Sequence, residues 1–564
     1  MTNKKELIEK LFNKGILVNQ EMLDSKKIED SILEKIEKES DLLVLNEDYT
    51  EIVSHQSSLV DWYDLDKYRV DVENERDDDL YQSQLQHFKQ SSLVLKTPDK
   101  LETQEIVSLE TKMDLAQSKA SFVTEPEENE TISDDLISLE KTPSSISSVT
   151  VVVSYQNEPH KYVIKDFVNF FSSRYHFLEG LLRNRRELES TLTINRLLGK
   201  KERDEVSIIG LVAEIGETKA GNIMLTLEDS TGEIKVLVSK NKKELYLSAK
   251  DLVVDEVIGV SGANGDKIVF ANNIIWPDIP RNHELKKGEE DEHVIFLSDI
   301  HVGSKLFMKE EFKKFLKWLN GETGNEIQRN MANKVKYIFI AGDLVDGVGI
   351  YPSQEEELEI TDITLQYAEF TELLKLVPQD KQIIICPGNH DVVHLAEPQP
   401  AFYQEFMPGL FDLPNVTLVT NPSLINIGKT KSFPGFDVLM YHGYSFDYYV
   451  ANVESIRKGG GYHRSDLIMK FLLKRRHLAP SFTSTPYFPS HKEDPLLIKT
   501  VPDFLITGHI HYSSVANYKG VTMISGSCWQ EKTSFQEKLG HEPEPARVPI
   551  VNLKTREVKV LRFG

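Results

Sequence analysis

Over residues 1–70 apolar and charged positions interleave at helical spacing, as in LIEKLFNKGILVNQEMLDS and IEDSILEKIEKES. This predicts a small helical N-terminal domain whose first helix closes at Gly15. The pattern lapses over 71–148. It resumes at VTVVVSYQ (149–156), a β-branched run that predicts a strand. DFVNFFSSRYHFLEGLLRNRRELESTL (166–192) then keeps one apolar face at helical period, so 149–202 reads as a strand and a helix leading into the strand-rich segment after it. From 203 to 285 the period shortens. EVSIIGLVAEI (205–215), GNIMLTLED (221–229), EIKVLVS (233–239) and DEVIGVSGANGDKIVFANNIIW (255–276) predict five short strands, with a helical piece between the third and fourth. From 286 to 564 fully apolar runs, HVIFLSD, VKYIFIAGD, KQIIICPGN, FDVLMYHG and PDFLITGH, alternate with helical stretches such as EEFKKFLKWLN and LQYAEFTELLKLV. That alternation predicts a layered α/β domain.

Charge changes the reading of one segment. The chain carries 66 basic and 89 acidic residues, a net of −23, which argues on its face against a nucleic-acid partner. Residues 71–150, however, hold 18 Asp or Glu against 7 Lys or Arg, nearly half of that imbalance. This stretch is poor in aromatics and cannot bury enough apolar surface to offset ordering entropy, so 71–148 is expected to be an acidic disordered linker. The global charge is then a poor guide to partners. The opening MTNKKELIEK has no apolar signal segment behind it and no apolar run reaches the roughly 18 residues of a membrane span, so a cytoplasmic protein without membrane contact is expected. Cys386 and Cys528 alone exclude a disulfide scaffold or a Cys-rich zinc module.

Each of the five apolar runs of the last domain ends in a residue type that binds metals. They supply Asp299 and His301, Asp343 and Asp346, Asn389-His390-Asp391, His442, and finally His509 and His511. Alternation along an extended chain would put Asp299 and His301 on one face, and His509 and His511 likewise. The steps from Asp299 through Asp343, Asn389 and His442 to His509 are 44, 46, 53 and 67 residues. Each exceeds the roughly 30 residues a crossover between parallel strands needs, so all five ends can gather at one sheet edge. A donor set of carboxylate, amide oxygen and imidazole without thiolate suits Mn²⁺, Fe²⁺ or Zn²⁺. Two such ions are the usual device for hydrolysing phosphate esters. Any one of these motifs alone is ordinary turn or surface chemistry; the five in order are not.

SDIH, GDLVDG, GNHD, YHG and GHIH in this order resemble the five motifs of the calcineurin-like metallophosphoesterase superfamily. The five-strand segment before them resembles an oligonucleotide-binding barrel (OB-fold), with a barrel that merely packs against its neighbours as the other reading. Barrel, intact motifs, acidic linker and helical N-terminal domain together resemble the small subunits of archaeal family-D DNA polymerases. The resemblance implies a four-layer αββα metallophosphoesterase domain and a 3′→5′ proofreading exonuclease acting on DNA. It also implies two divalent ions, Mn²⁺ by preference, and a separate large polymerase subunit, with a sliding clamp nearby and a nucleoid-associated location. By motif, Asp299, His301 and His511 would hold one ion, Asn389, His442 and His509 the other, and Asp343 would bridge them. His390 would act as general acid or charge stabiliser, and Asp391 would fix its tautomer. Asp346 would be an acceptor behind the ligands or only a turn residue. Gly347 is followed by Val348 and His390 by Asp391, where protein phosphatases of the superfamily have Arg and Glu. Nearly 300 residues precede Asp299, which also sets the chain apart from the superfamily's break-repair nucleases.

Outside the motifs, Arg457, Lys458, His463 and Arg464 flank Gly459, Gly460 and Gly461 shortly after His442, and are candidates for DNA contact. The other reading of this segment is a charged surface loop. Arg183, Arg185 and Arg186 are interleaved with Glu179, Glu187 and Glu189 and read as a salt-bridged solvated face. Trp529 and Gln530 follow the last motif, and a Trp there fits either core or interface. Two alternatives to the exonuclease reading stand at this point: a non-catalytic scaffold subunit of a polymerase, and a phosphatase of the same superfamily.

Overall fold

In the computed structural model, the described residues are 149–155, 161–200, 203–489 and 493–564, together with Leu17–Val18 and Val44–Leu45. The chain divides into two units, Met1–Ser138 and Leu139–Gly564. In the first, Leu17–Val18 pairs in parallel with Val44–Leu45. The helical domain expected over 1–70 and the linker expected over 71–148 otherwise lie outside the described residues.

The second unit opens with strand β1 (Val149–Ser154) and helix α1 (Ile164–Arg183). The helix is shorter than the predicted 166–192. It stops at Asn184, whose side-chain amide donates to the Gly180 carbonyl, and the chain turns so that Leu188 packs inward. Arg174 pins the helix from its middle. The guanidinium, 1% exposed, donates to Asp494 Oδ2 at 2.6 Å and to the Pro480 carbonyl at 2.8 Å. His477 Nε2 shares that carboxylate at 2.8 Å. Burial and the neighbouring Arg174 push His477 down to about 4, so the ring is neutral and its Nδ1 accepts from the Ala479 N–H.

Strands β2 (Glu205–Glu217), β3 (Ile223–Asp229), β4 (Gly232–Val238), β5 (Val257–Asn264) and β6 (Ile268–Ile275) form a closed barrel. Their order is β2-β3-β4-β6-β5, and β5 pairs back onto β2. Helix α2 (Lys243–Lys250) lies between β4 and β5. Alternate residues such as Leu225, Leu227, Val236 and Val238 fill the interior, as period-two patterning requires.

The rest is two six-stranded sheets. The first contains β7 (His293–Leu297), β8 (Val335–Ala341), β9 (Gln382–Cys386), β10 (Val416–Leu418), and later β16 (Arg547–Asn552) and β17 (Val558–Arg562). Its order is β10-β9-β8-β7-β16-β17. The second holds β11 (Ser423–Ile427), β12 (Phe436–Met440), β13 (Phe504–Thr507), β14 (Ser514–Tyr518) and β15 (Val521–Ser525), ordered β14-β15-β13-β12-β11-β1. One face of each sheet shares a core: Phe296, Phe339 and Ile384 meet Val438, Phe504 and Ile524. The outer face of the first sheet packs under helices Lys309–Leu319 and Ile363–Leu374, and that of the second under Phe446–Asn452 and Ser465–Arg475. These are four layers, helix, sheet, sheet, helix. Trp529 is core, fully buried beside Phe312 and Phe315. The sequence pattern makes strand β1 a lead-in to the barrel. It instead pairs antiparallel with β11 at the edge of the second sheet, about 270 residues downstream.

Barrel and layered domain meet at a buried ion pair. Glu256, 2% exposed, accepts from Trp276 Nε1 at 2.9 Å and from the Val253 N–H at 2.7 Å. Arg475 Nε stands 2.8 Å from its Oε2, and Arg475 Nη2 donates to the Asp251 carbonyl at 2.6 Å. Removing one partner strands the other charge away from water, which typically costs about 3–5 kcal/mol. Glu256→Ala is therefore expected to lower unfolding stability by that order, read as a lower denaturant midpoint. A change below about 1 kcal/mol would show that water reaches Arg475.

Candidate metal centre and its cleft

Strands β7, β8 and β9 run parallel in one sheet and β12 and β13 in the other, and each stops two or three residues short of a candidate ligand. Asp299 and His301 lie past the end of β7, and His509 and His511 past the end of β13. Extended alternation is therefore not what aims each pair. Asp299, His301, Asp343, His509 and His511 have φ of 52°, 54°, 53°, 69° and 56°, all in the left-handed region. That conformation costs ~1–3 kcal/mol per residue and persists only where the surroundings impose it. Here the turns hold one another. Asp299 N–H donates to Gly342 O at 2.9 Å, Ile300 N–H to Asp343 O at 2.8 Å, and Trp529 N–H to Asp299 O at 2.8 Å. Gly388 and Gly508 let the turns close. A Cβ there would lie 2.2 Å from Asp343 Oδ1 and 2.5 Å from Asp299 Oδ2.

The geometry brings all seven candidate ligands together. His301 Nε2 faces His511 Nε2 at 3.0 Å, and His511 Nε2 lies 3.3 Å from Asp299 Oδ1. Asp343 Oδ2 lies 3.9 Å from His301 Nε2 and 3.3 Å from His442 Nε2. Asn389 Oδ1 is 2.9 Å from His442 Nε2 and 3.0 Å from His509 Nδ1. Asp299, His301, Asp343 and His511 offer atoms within 4.8 Å of one another.

Each imidazole has its other nitrogen committed. His301 Nδ1 meets Asp346 Oδ1 at 3.1 Å, and His442 Nδ1–H donates to the Ala341 carbonyl at 2.8 Å. His509 Nε2 meets Asp447 Oδ2 at 2.9 Å, and His511 Nδ1 meets the Gln536 side-chain amide at 2.8 Å. Orienting contacts of this kind behind the ligands are what a metal site requires. Asp346, fully buried, also accepts from Gln530 Nε2 at 2.7 Å and Gln354 Nε2 at 2.9 Å, so it is an acceptor behind His301 and more than a turn residue. Asp343 Oδ2 is buried with no hydrogen-bond partner. An orphaned carboxylate oxygen between imidazoles fits a bridging position, since an ion there supplies what the protein does not.

His390 and Asp391 separate. His390 N–H donates to Asp343 Oδ1 at 2.8 Å, and its ring stands on edge to His301 with centroids 4.7 Å apart. Its Nδ1–H donates to the Asp346 carbonyl at 2.7 Å, which leaves Nε2 for the cleft. Burial lowers its pKa against the pull of the Asp343 charge. Asp391 does not touch that ring, contrary to the expectation that it fixes the His390 tautomer. Consecutive residues in this turn point apart. The Asp391 carboxyl accepts from Gly388 N–H at 2.9 Å, from Leu344 N–H at 3.3 Å and from Tyr367 Oη at 3.0 Å. It locks the third motif to the second, and burial and then Asp343 push it up to about 7.

The centre opens into a cleft of about 470 Å³ lined by His301, Asp343, Asn389, His390, His509 and His511 together with Tyr351, Tyr444, Phe535 and His541. None of Arg457, Lys458, His463 and Arg464 lines it. Lys458 pairs with Glu454, Arg464 grips Asp466 at 2.7 and 2.9 Å, Arg457 donates to the Ala451 carbonyl at 2.7 Å, and His463 packs on Tyr512. The charges of Lys458 and Arg464 are answered locally. Tyr462 of that loop meets the cleft wall, its ring 4.2 Å from that of His541. Arg183 pairs with Glu179 at 2.6 Å, as the interleaved charges suggest. Asp447, Gln536 and Gln354 were not picked out from sequence. Asp447 alone had a signal, standing five residues after His442.

Residues 294–515 match the family model of the B-type subunits of DNA polymerases alpha and epsilon. The chain is 41% identical over 401 residues to the DNA polymerase II small subunit of Methanothermobacter thermautotrophicus, covering 71% of this chain and 80% of that one. The Archaeoglobus fulgidus subunit is 39% identical over 401 residues, covering 71% and 78%. That of Methanocaldococcus jannaschii is 40% identical over 395 residues, covering 69% and 64%. A solved archaeal phosphodiesterase aligns over 48% of this chain and 98% of its own, at 14% identity and a TM-score of 0.23, a likeness too slight to carry weight. Among the described residues no helix is long and apolar enough to cross a membrane.

Without a bound ion the centre favours a proton on His442. Burial opposes charge on His442, yet Asp343 beside it pushes it up to about 10. A bound ion needs the neutral imidazole, so loading displaces a proton at any pH below that value, and affinity rises with pH. Calorimetric titration with Mn²⁺ between pH 6 and 8, in buffers of differing ionisation enthalpy, is expected to show proton release and tighter binding at the higher pH.

Proposed function

The chain belongs to the family of DNA polymerase II small subunits, and on that premise we propose that it is the 3′→5′ exonuclease of a heteromeric archaeal replicative polymerase, hydrolysing DNA phosphodiesters at this centre. The observation that carries this reading is the buried, unpartnered Asp343 Oδ2 between imidazoles whose outer nitrogens are already committed. A subunit kept only as a scaffold has no need of five left-handed residues in three turns and of four oriented rings. The barrel is read as an OB-fold and the layered domain as a calcineurin-like phosphoesterase. A large catalytic subunit and DNA are the partners.

Asp299, His301 and His511 would hold one divalent ion, Asn389, His442 and His509 a second, with Asp343 shared; Mn²⁺ suits this nitrogen and oxygen donor set. When bound, such a pair makes hydroxide available near neutral pH and neutralises the phosphate oxygens. The chain's own part is orientation and proton handling. Asp346, Asp447, Gln536 and the Ala341 carbonyl keep one nitrogen of each ring turned inward. His390 presents Nε2 to the cleft from a ring fixed at Nδ1. Nε2 so placed can hand a proton to a leaving 3′-oxygen.

Full-length protein, alone and with its large subunit, is expected to degrade single-stranded DNA with Mn²⁺. Asp343→Ala should lose both metal and cleavage. His390→Ala should keep metal while kcat falls about 10²–10⁴-fold. A metal-loaded wild type as inert as both variants, with the large subunit present, would leave the scaffold reading. Turnover of phosphomonoesters without action on DNA would favour a phosphatase.

A further inference from the structure

The cleft is poor in the groups that usually hold nucleic acid. Among the described residues that line it, none is Lys or Arg. Its phosphate-facing chemistry is confined to the imidazoles and whatever ions they hold, so a second means of holding substrate is needed. Beside His390 the wall is apolar and aromatic. Tyr351, on the loop after the second motif, stacks on Phe535 of the short helix Ser534–Leu539, with ring centroids 5.1 Å apart and planes within 17°. The Tyr351 ring lies 6.4 Å from that of His390. Phe535 lines the cleft and is 38% exposed.

The pair is preorganised by one carboxylate. Glu357 Oε2 accepts from Tyr351 Oη at 2.8 Å, and Oε1 accepts from the Ser534 N–H at 3.2 Å and from the Ser534 hydroxyl. Two segments almost 180 residues apart are thus clamped together so that their rings stack. The same loop is tied to the metal centre, because Gln354 accepts from Ile350 N–H and donates to Asp346, the acceptor behind His301. An aromatic pair whose nearer ring, Tyr351, lies 6.4 Å from His390 offers what every nucleobase has in common, a π-face.

We propose that Tyr351 and Phe535 form a stacking platform for the unpaired nucleobase flanking the scissile phosphate, so that substrate is positioned by its base and not by cationic contacts to its backbone. The proposal rests on the exonuclease reading for the chemistry but not for the binding. Phe535 is a positioning residue, since the base stacks on its exposed ring, while Tyr351 backs it and fixes its tilt.

The test uses full-length protein with its large subunit. Single-stranded oligonucleotides carry 2-aminopurine at the last or the penultimate position, and fluorescence is read in EDTA so that no cleavage occurs. Wild type is expected to quench the probe at one of the two positions, Phe535→Ala to abolish that quench, and Phe535→Trp to restore it. With Mn²⁺ present, Phe535→Ala should raise KM about tenfold on base-bearing ends, with the loss falling in KM and not in kcat. It should also remove any preference over ends made abasic at the quenched position. Equal quench and equal KM in wild type and Phe535→Ala would overturn the platform even if DNA is cleaved normally. Quench by wild type, lost in Phe535→Ala, without any cleavage would uphold it as a base-binding site while overturning the exonuclease reading.

Discussion

Two carboxylates withdrawn from water within reach of each other govern this protein. Asp299 and Asp343 are both essentially inaccessible and would repel each other, were positive charge not brought to them. The surrounding imidazoles answer part of that need, which is why burial fails to raise the Asp343 pKa and it stays well below the usual carboxylate range through His442 and His390. The backbone follows from the same requirement. Carboxylates and rings from two different sheets converge where the chain reverses past the strand ends, and at three of those five ends non-glycine residues accept left-handed φ to do so. The strain is held by cross-bonds among the turns and by the cores beneath them.

Much of this was legible because the relevant signals are local. The runs around Val294, Phe339, Ile384, Val438 and Leu505 are apolar on both faces, as strands covered on two sides must be, and each stops where a polar ligand begins. Extended alternation predicts the convergence of Asp299 with His301, and of His509 with His511, whereas left-handed turns produce it. Sequence spacing cannot distinguish the two, because both put the side chains in reach of one point. Asp391 shows the opposite error. Its adjacency to His390 invites a direct contact, but it turns inward to bind backbone N–H groups of its own loop, at Gly388, and of the second motif, at Leu344.

What sequence did not offer were contacts made only by the fold. Asp447 behind His509, Gln536 behind His511 and Glu357 between two distant loops carry no spacing rule. The basic cluster at Arg457 to Arg464 illustrates the converse. Position next to a motif suggested DNA, but acidic neighbours such as Glu454 and Asp466, close enough in sequence to be seen, take up much of its charge.

Strand β1 has a wider architectural meaning. Because Val149–Ser154 zips onto β11, the chain enters the two-sheet body first, departs to wind the helix and barrel, and only then returns at β7. The barrel is an excursion from that body, moored on both sides, with Arg174 and Arg475 as extra moorings. A fragment cut to begin at 286 would leave the backbone of Ser423–Ile427 bare along one side, an open sheet margin of the kind that seeks other chains. The natural boundary of the two-sheet body therefore lies before the barrel, and the two have to be inherited together.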